Sequence, residues 1–123
     1  MWKKLVLWVL MVTISLFAVT AYAATTRLAN IDKLSASLVI SGSATCHGKV
    51  TAKSDNATAS ITVTLQKQNT NGTWAIVNSW TASGTGSASV EKTQSISSGT
   101  YRVRSTGTVS GETMTVYSAE RTK

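Results

Sequence analysis

From Leu34 to Val116 apolar side chains keep returning at every second position, and no proline interrupts them anywhere in the chain. Only an extended strand sends alternate side chains to opposite faces, so a period of two commits these residues to half-buried sheet rather than helix. Leu34, Ala36, Leu38 and Ile40 mark a first strand, and Ala44, Cys46, Gly48, Val50 and Ala52 a second. Ala59, Ile61, Val63 and Leu65 mark a third. Ser41-Gly42-Ser43 and Ser54-Asp55-Asn56 separate them with turn-forming residues. Asn71-Gly72 suits the positive φ angles of a tight hairpin and leads into a fourth strand over 73–81. There Trp74, Val77 and Trp80 recur every three residues, so either a bulge shifts the phase or one tryptophan faces solvent. A short amphipathic helix is the alternative, and the flanking Gly72-Thr73 and Thr81–Gly84 favour strand.

Ser83–Ser87 reads as a flexible loop, followed by a fifth strand from Ala88 to Ile96. Tyr101, Val103 and Ser105 are the inward residues of a sixth strand, Met114 and Val116 those of a seventh. Turns at Ser97–Gly99 and Ser110-Gly111 introduce them. Seven short strands with turn signals between them predict an all-β, antiparallel two-sheet sandwich over residues 34–123, with 24–33 as a polar lead-in. The expected core is Leu38, Ile40, Cys46, Val50, Ile61, Val63, Leu65, Val90, Tyr101, Val103, Met114 and Val116.

Residues 1–23 follow a different plan. Lys3 and Lys4 precede an apolar run from Leu5 to Thr20, and Ala21-Tyr22-Ala23 supplies small residues where a signal peptidase reads them. This predicts a secretory signal helix, removed to leave a chain starting near Ala24. A retained membrane anchor is the rival, but a spanning helix needs roughly 20 apolar residues, and this run contains Thr13 and Ser15. Lipidation would need a cysteine at the cleavage site, and the only cysteine is Cys46. Secretion is therefore the expected localisation, with membrane contact only through the uncleaved signal.

Lys3 and Lys4 are two of twelve basic residues; ten remain against five acids, a net charge of about +5 after cleavage. Export and the absence of any Lys/Arg cluster argue against nucleic acid as partner. Anionic wall polymers, glycans or a membrane surface fit better, and solubility alone also accounts for such a charge. A single cysteine excludes an intramolecular disulfide, the usual support of small secreted domains. The strand pattern places Cys46 inward, as a small apolar side chain.

Ser98-Gly99-Thr100-Tyr101-Arg102-Val103 resembles the entry to strand F of an immunoglobulin-type sandwich, where a tyrosine stands two residues before the second core cysteine. Val103 takes the place of that cysteine, and Cys46 lies where the strand-B cysteine would. The resemblance implies an immunoglobulin-like architecture without the disulfide, and a Tyr101 hydroxyl bonded to backbone across the corner between strands E and F. The chain also resembles short secreted bacterial proteins of unknown function, through its signal, Gly72-Thr73-Trp74, Trp80, the 98–103 segment and the polar final strand. That resemblance implies secretion and a β-sandwich and brings no activity with it.

Hydrolysis or group transfer needs positioned acid–base or nucleophilic groups. His47 is the only histidine, and Asp32, Asp55, Glu91, Glu112 and Glu120 are dispersed. Cys46 and His47 are adjacent in a strand and so point apart. No enzyme, metal site or cofactor is expected; Asp55 and Asn56 lack the further oxygens a calcium shell demands. Asn56-Ala57-Thr58 and Asn71-Gly72-Thr73 fit the glycosylation acceptor pattern but read as turn asparagines in a bacterial export route. What remains is a surface. If the third, sixth and seventh strands are neighbours, one outer face gathers Thr62, Thr64, Gln66, Arg102, Arg104, Thr113, Thr115 and Tyr117. Arginines there would grip anions and hydroxyls would bond a glycan; the ordinary alternative is a solvated sheet face. The expected function is a non-catalytic binding or structural module at or outside the cell envelope. The alternative from another class is a small cationic, bacteriocin-like effector, which lacks the amphipathic cationic helix such agents use.

Overall fold

The computed structural model describes Ala21–Tyr22 and residues 29–123. The signal segment therefore lies outside the described residues save for Ala21–Tyr22, as do residues 24–28 of the lead-in. Nine strands run in chain order: β1 Ala21–Tyr22, β2 Ile31–Ser41, β3 Ser43–Ala52, β4 Thr58–Gln68, β5 Trp74–Thr85, β6 Ser87–Ser95, β7 Thr100–Val109, β8 Glu112–Tyr117 and β9 Arg121–Thr122. They form two antiparallel sheets, one ordered β1-β2-β3-β6 and the other β5-β4-β7-β8, with β9 also pairing β7. The seven expected strands are β2–β8. Their partition, β2-β3-β6 against β4-β7-β8 with β5 added beside β4, is that of an immunoglobulin-like sandwich.

Alternation does its work strand by strand. In β3 and β7 the buried and half-exposed residues alternate along the whole length. The inward sets of the two sheets meet in one core, in which Leu34, Leu38, Val50, Ile61, Val63, Leu65, Tyr101 and Val103 are among the most deeply buried members. Ten of the twelve expected core residues are buried; Ile40 and Met114 pack against the core from its margin. Cys46 is buried, and that burial pushes its thiol up to about 11. Two glycines let the sheets approach closely. A Cβ on Gly48 would meet Ser105 and Val63, and one on Gly107 would meet Val50 and Leu34.

Three details differ from the sequence reading. β2 begins at Ile31, inside the lead-in, because Ile31 is buried and a register shift between Ile31 and Lys33 lets the chain enter the sheet early. Ser83–Ser87 is not a loop. β5 runs to Thr85, β6 starts at Ser87, and Gly86 alone carries the chain from one sheet to the other with φ 80°. Its N–H donates to the Ala57 carbonyl and its carbonyl accepts from Ala52 N–H, both at 2.8 Å, so Ser/Thr/Gly composition concealed a fully bonded corner. Third, the final strand is interrupted after Tyr117, where the Ser118 hydroxyl accepts from Val103 N–H at 2.8 Å before β9 resumes.

The Tyr101 hydroxyl donates to the Ser97 carbonyl at 2.8 Å, across the turn that leads from β6 to β7. This is the bond the immunoglobulin resemblance implied, and the buried ring anchors that corner.

Candidate functional site

The spacing of Trp74, Val77 and Trp80 resolves into a bulge. Leu65 pairs with Asn78 and Gln66 with Ile76, so Val77 is the extra residue of β5. Beyond it the phase inverts. Trp80, opposite Val63, packs against the core, whereas Trp74, opposite Gln68, stands on the outer face.

All eight candidate face residues come together on that outer face of the second sheet. Register places Thr64 beside Arg104 and Gln66 beside Arg102 across β4 and β7, and Arg104 beside Tyr117 across β7 and β8. Thr113 and Thr115 share hydroxyl hydrogen bonds of 3.1 Å with Thr108 and Thr106. On the other flank Thr62 bonds Thr81 at 3.2 Å and Thr64 bonds Ser79 at 3.0 Å. One row therefore crosses four strands as Thr115, Thr106, Thr62 and Thr81. Cross-strand hydroxyl pairs of this kind stabilise a sheet face.

The centre of the face is not flat. The Arg102 guanidinium lies 4.2 Å from the ring centroid of Trp74 and 4.2 Å from that of Tyr117, a cation held between two rings. Its Nε–H donates to Gln66 Oε1 at 2.7 Å. Gln66 and Thr64 are only 5% and 2% exposed, so these two belong to the support of the face and not to its contact surface. Arg104 has no such clasp among the described residues, and Tyr117 and Ile76 stand out at 42% and 63% exposure.

Two constellations were invisible in the sequence. The first is a clamp: the Glu112 carboxylate accepts from the consecutive N–H groups of Ala29, Asn30 and Ile31, each at 3.0 Å. These bonds, Ile31's foremost, hold its carboxyl below the usual carboxylate range, with Lys53 adding a smaller attraction against the cost of desolvation. Some eighty residues separate the partners, so only the fold brings them together. The second lies on the outer face of the first sheet, where Ser37, His47 and Glu91 fall in one row across β2, β3 and β6. No hydrogen bond among the described residues links them, and a nucleophile needs a base within hydrogen-bond reach. Ser54, not Asp55, organises the turn at 54–57: its hydroxyl accepts from Asn56 N–H and its carbonyl from Ala57 N–H.

No protein-family model matches the chain, and no curated protein matches it.

Proposed function

We propose that the chain is a secreted, non-catalytic binding or structural module that works at or outside the bacterial cell envelope. Its contact surface is the outer face of the second sheet, and its partner an anionic or glycan polymer. The observation that carries this reading is the Trp74–Arg102–Tyr117 stack, which rigidifies a hydroxyl-rich face and leaves the neighbouring Arg104 guanidinium without a clasp among the described residues. A rigid platform with an available fork of N–H donors suits carboxylate, sulfate or phosphate groups along a polymer, and the exposed edge of Tyr117 adds an apolar surface for a sugar ring. Secretion rests on the N-terminal charged, apolar and small-residue plan, and on the resemblance to short secreted bacterial proteins.

The test is cosedimentation of the purified chain with isolated cell walls at low and high salt, beside Arg104→Glu. Arg104 is the residue to change, because Arg102 is built into the stack. Binding that weakens with salt and is lost in Arg104→Glu is the expected result. Failure to sediment with walls at either salt would remove the reading, and killing of competitor cells by the folded protein would favour the cationic effector instead.

A further inference from the structure

The outer edge of β5 ends the second sheet, and among the described residues no strand covers it. In an antiparallel strand about half of the N–H and C=O groups point to each side, so this twelve-residue strand, the longest in the fold, turns a row of donors and acceptors toward its outer edge, where the Asn78 side chain caps only the Ser79 N–H, at 2.8 Å. Proteins usually guard such edges with charge. Every other strand from β2 to β8 carries at least one Asp, Glu, Lys or Arg; β5 carries none. The other edges are also better protected. β2 carries the exposed Asp32 and Lys33, β6 presents Glu91 and Lys92, and β8 begins with the Glu112 clamp. On β5 stand instead Ile76 and Val77, 63% and 39% exposed.

We propose that β5 is a self-association edge, pairing antiparallel with β5 of a second copy so that two five-stranded sheets become one continuous sheet. This goes beyond the proposed polymer-binding face and does not depend on it. The usual guard against such pairing, a bulge, sits at Val77, close to the strand's start. From Asn78 to Thr85 the strand keeps unbroken register with β4.

Self-complementarity is what selects a second copy over a foreign strand. Residues directly opposite in a continuous sheet share a face, so the two-fold axis must pass through a residue pair. Centred on Thr81, the axis sets Thr81 against its own counterpart and Ser79 against Ser83 of the second copy on the outer face. On the inner face it sets bulky Trp80 against Ala82, and Asn78, whose amide donates to Gln94 at 3.0 Å, against Gly84. Large meets small, hydroxyl meets hydroxyl, and no like charges meet although the chain is strongly basic. The threonine row of each copy would then continue into the other. An acidic foreign partner finds no cation on this strand to recognise.

Sedimentation equilibrium of the purified full chain over a concentration series tests this, beside Thr81→Lys and, as control, Ser89→Lys on the exposed face of β6. Both sites are exposed and spare the core. The expected result is a monomer–dimer equilibrium that Thr81→Lys shifts to several-fold higher concentration and Ser89→Lys leaves alone. Thr81→Cys, with Cys46 buried and out of reach, should form a disulfide between copies faster than Ser89→Cys does. A chain that stays monomeric throughout overturns the proposal. So does association unchanged by Thr81→Lys, which would put the contact elsewhere, or equal cross-linking of the two cysteine variants.

Discussion

Ser105 and Gly48 show how tightly the two sheets are fitted at single residues. The Ser105 hydroxyl is wholly buried and has no hydrogen-bond partner, and the space facing it is empty of side chain only because position 48 is glycine. A buried hydroxyl without a partner forfeits its hydration. Ser105→Ala should therefore be neutral or raise stability by up to about 1 kcal/mol, whereas Gly48→Ala should lower it by about 2 kcal/mol through overpacking. Urea titrations of the two variants decide the matter; a costly Ser105→Ala would mean that the hydroxyl has a partner in solution. Glu112 acts in the opposite sense, as a polar group with more partners than usual. Its folded pKa is depressed, so the stability it contributes is present above its ordinary value of 4.5 and is lost as pH falls through the lower folded value. Glu112→Gln should accordingly destabilise the protein near neutrality and differ less and less from the native chain as the medium is acidified below pH 4.5. A gap between the two that persists undiminished in acid would show that the carboxylate's charge is not what holds residues 29–31.

At the scale of elements, alternation told which side chains leave each strand on which face, and the pairing of β4, β7 and β8 in the structure then brought all eight candidate residues onto one outer face. Alternation could not tell that Thr64 and Gln66 would be buried there, since Gln66 is clasped by Arg102, thirty-six residues away, and Thr64 lies between Ser79 and Arg104 of its neighbouring strands. Nor could it choose between a bulge and a solvent-facing tryptophan in β5; the structure has the bulge, whose extra residue Val77 lets Trp80 pack inward while Trp74, on the outer face, is half-buried against Arg102. The stack couples three strands, β5, β7 and β8. Its loss in Arg102→Ala should cost about 1–2 kcal/mol, the sum of two exposed cation–π contacts. Arg102→Lys should restore less than half of that, because an ammonium has no planar face to lay against either ring. Equal stability of the Lys variant and the native protein would reduce the stack to simple charge.

The whole molecule dispenses with the disulfide that many small exported domains require. Cys46 stands near the place of the missing bridge, buried among side chains of both sheets, with its thiol pushed up to about 11. The denaturation midpoint should therefore be the same with and without reductant, and thiol reagents should label Cys46 only as the protein unfolds. Rapid labelling under native conditions would place Cys46 at the surface. The strands β2–β8, their inward and outward faces and most of the turns between them were legible in the chain, because each depends on alternation or on a few neighbouring residues, and the tyrosine corner was implied by the resemblance of residues 98–103 to an immunoglobulin strand F. Tertiary structure alone decided the Gly86 corner, the Glu112 clamp, the Ser37–His47–Glu91 row and the unguarded edge of β5. Those features join residues distant in sequence, and which strands become neighbours, and which is left at the margin, is settled only when two sheets bury their apolar faces against each other.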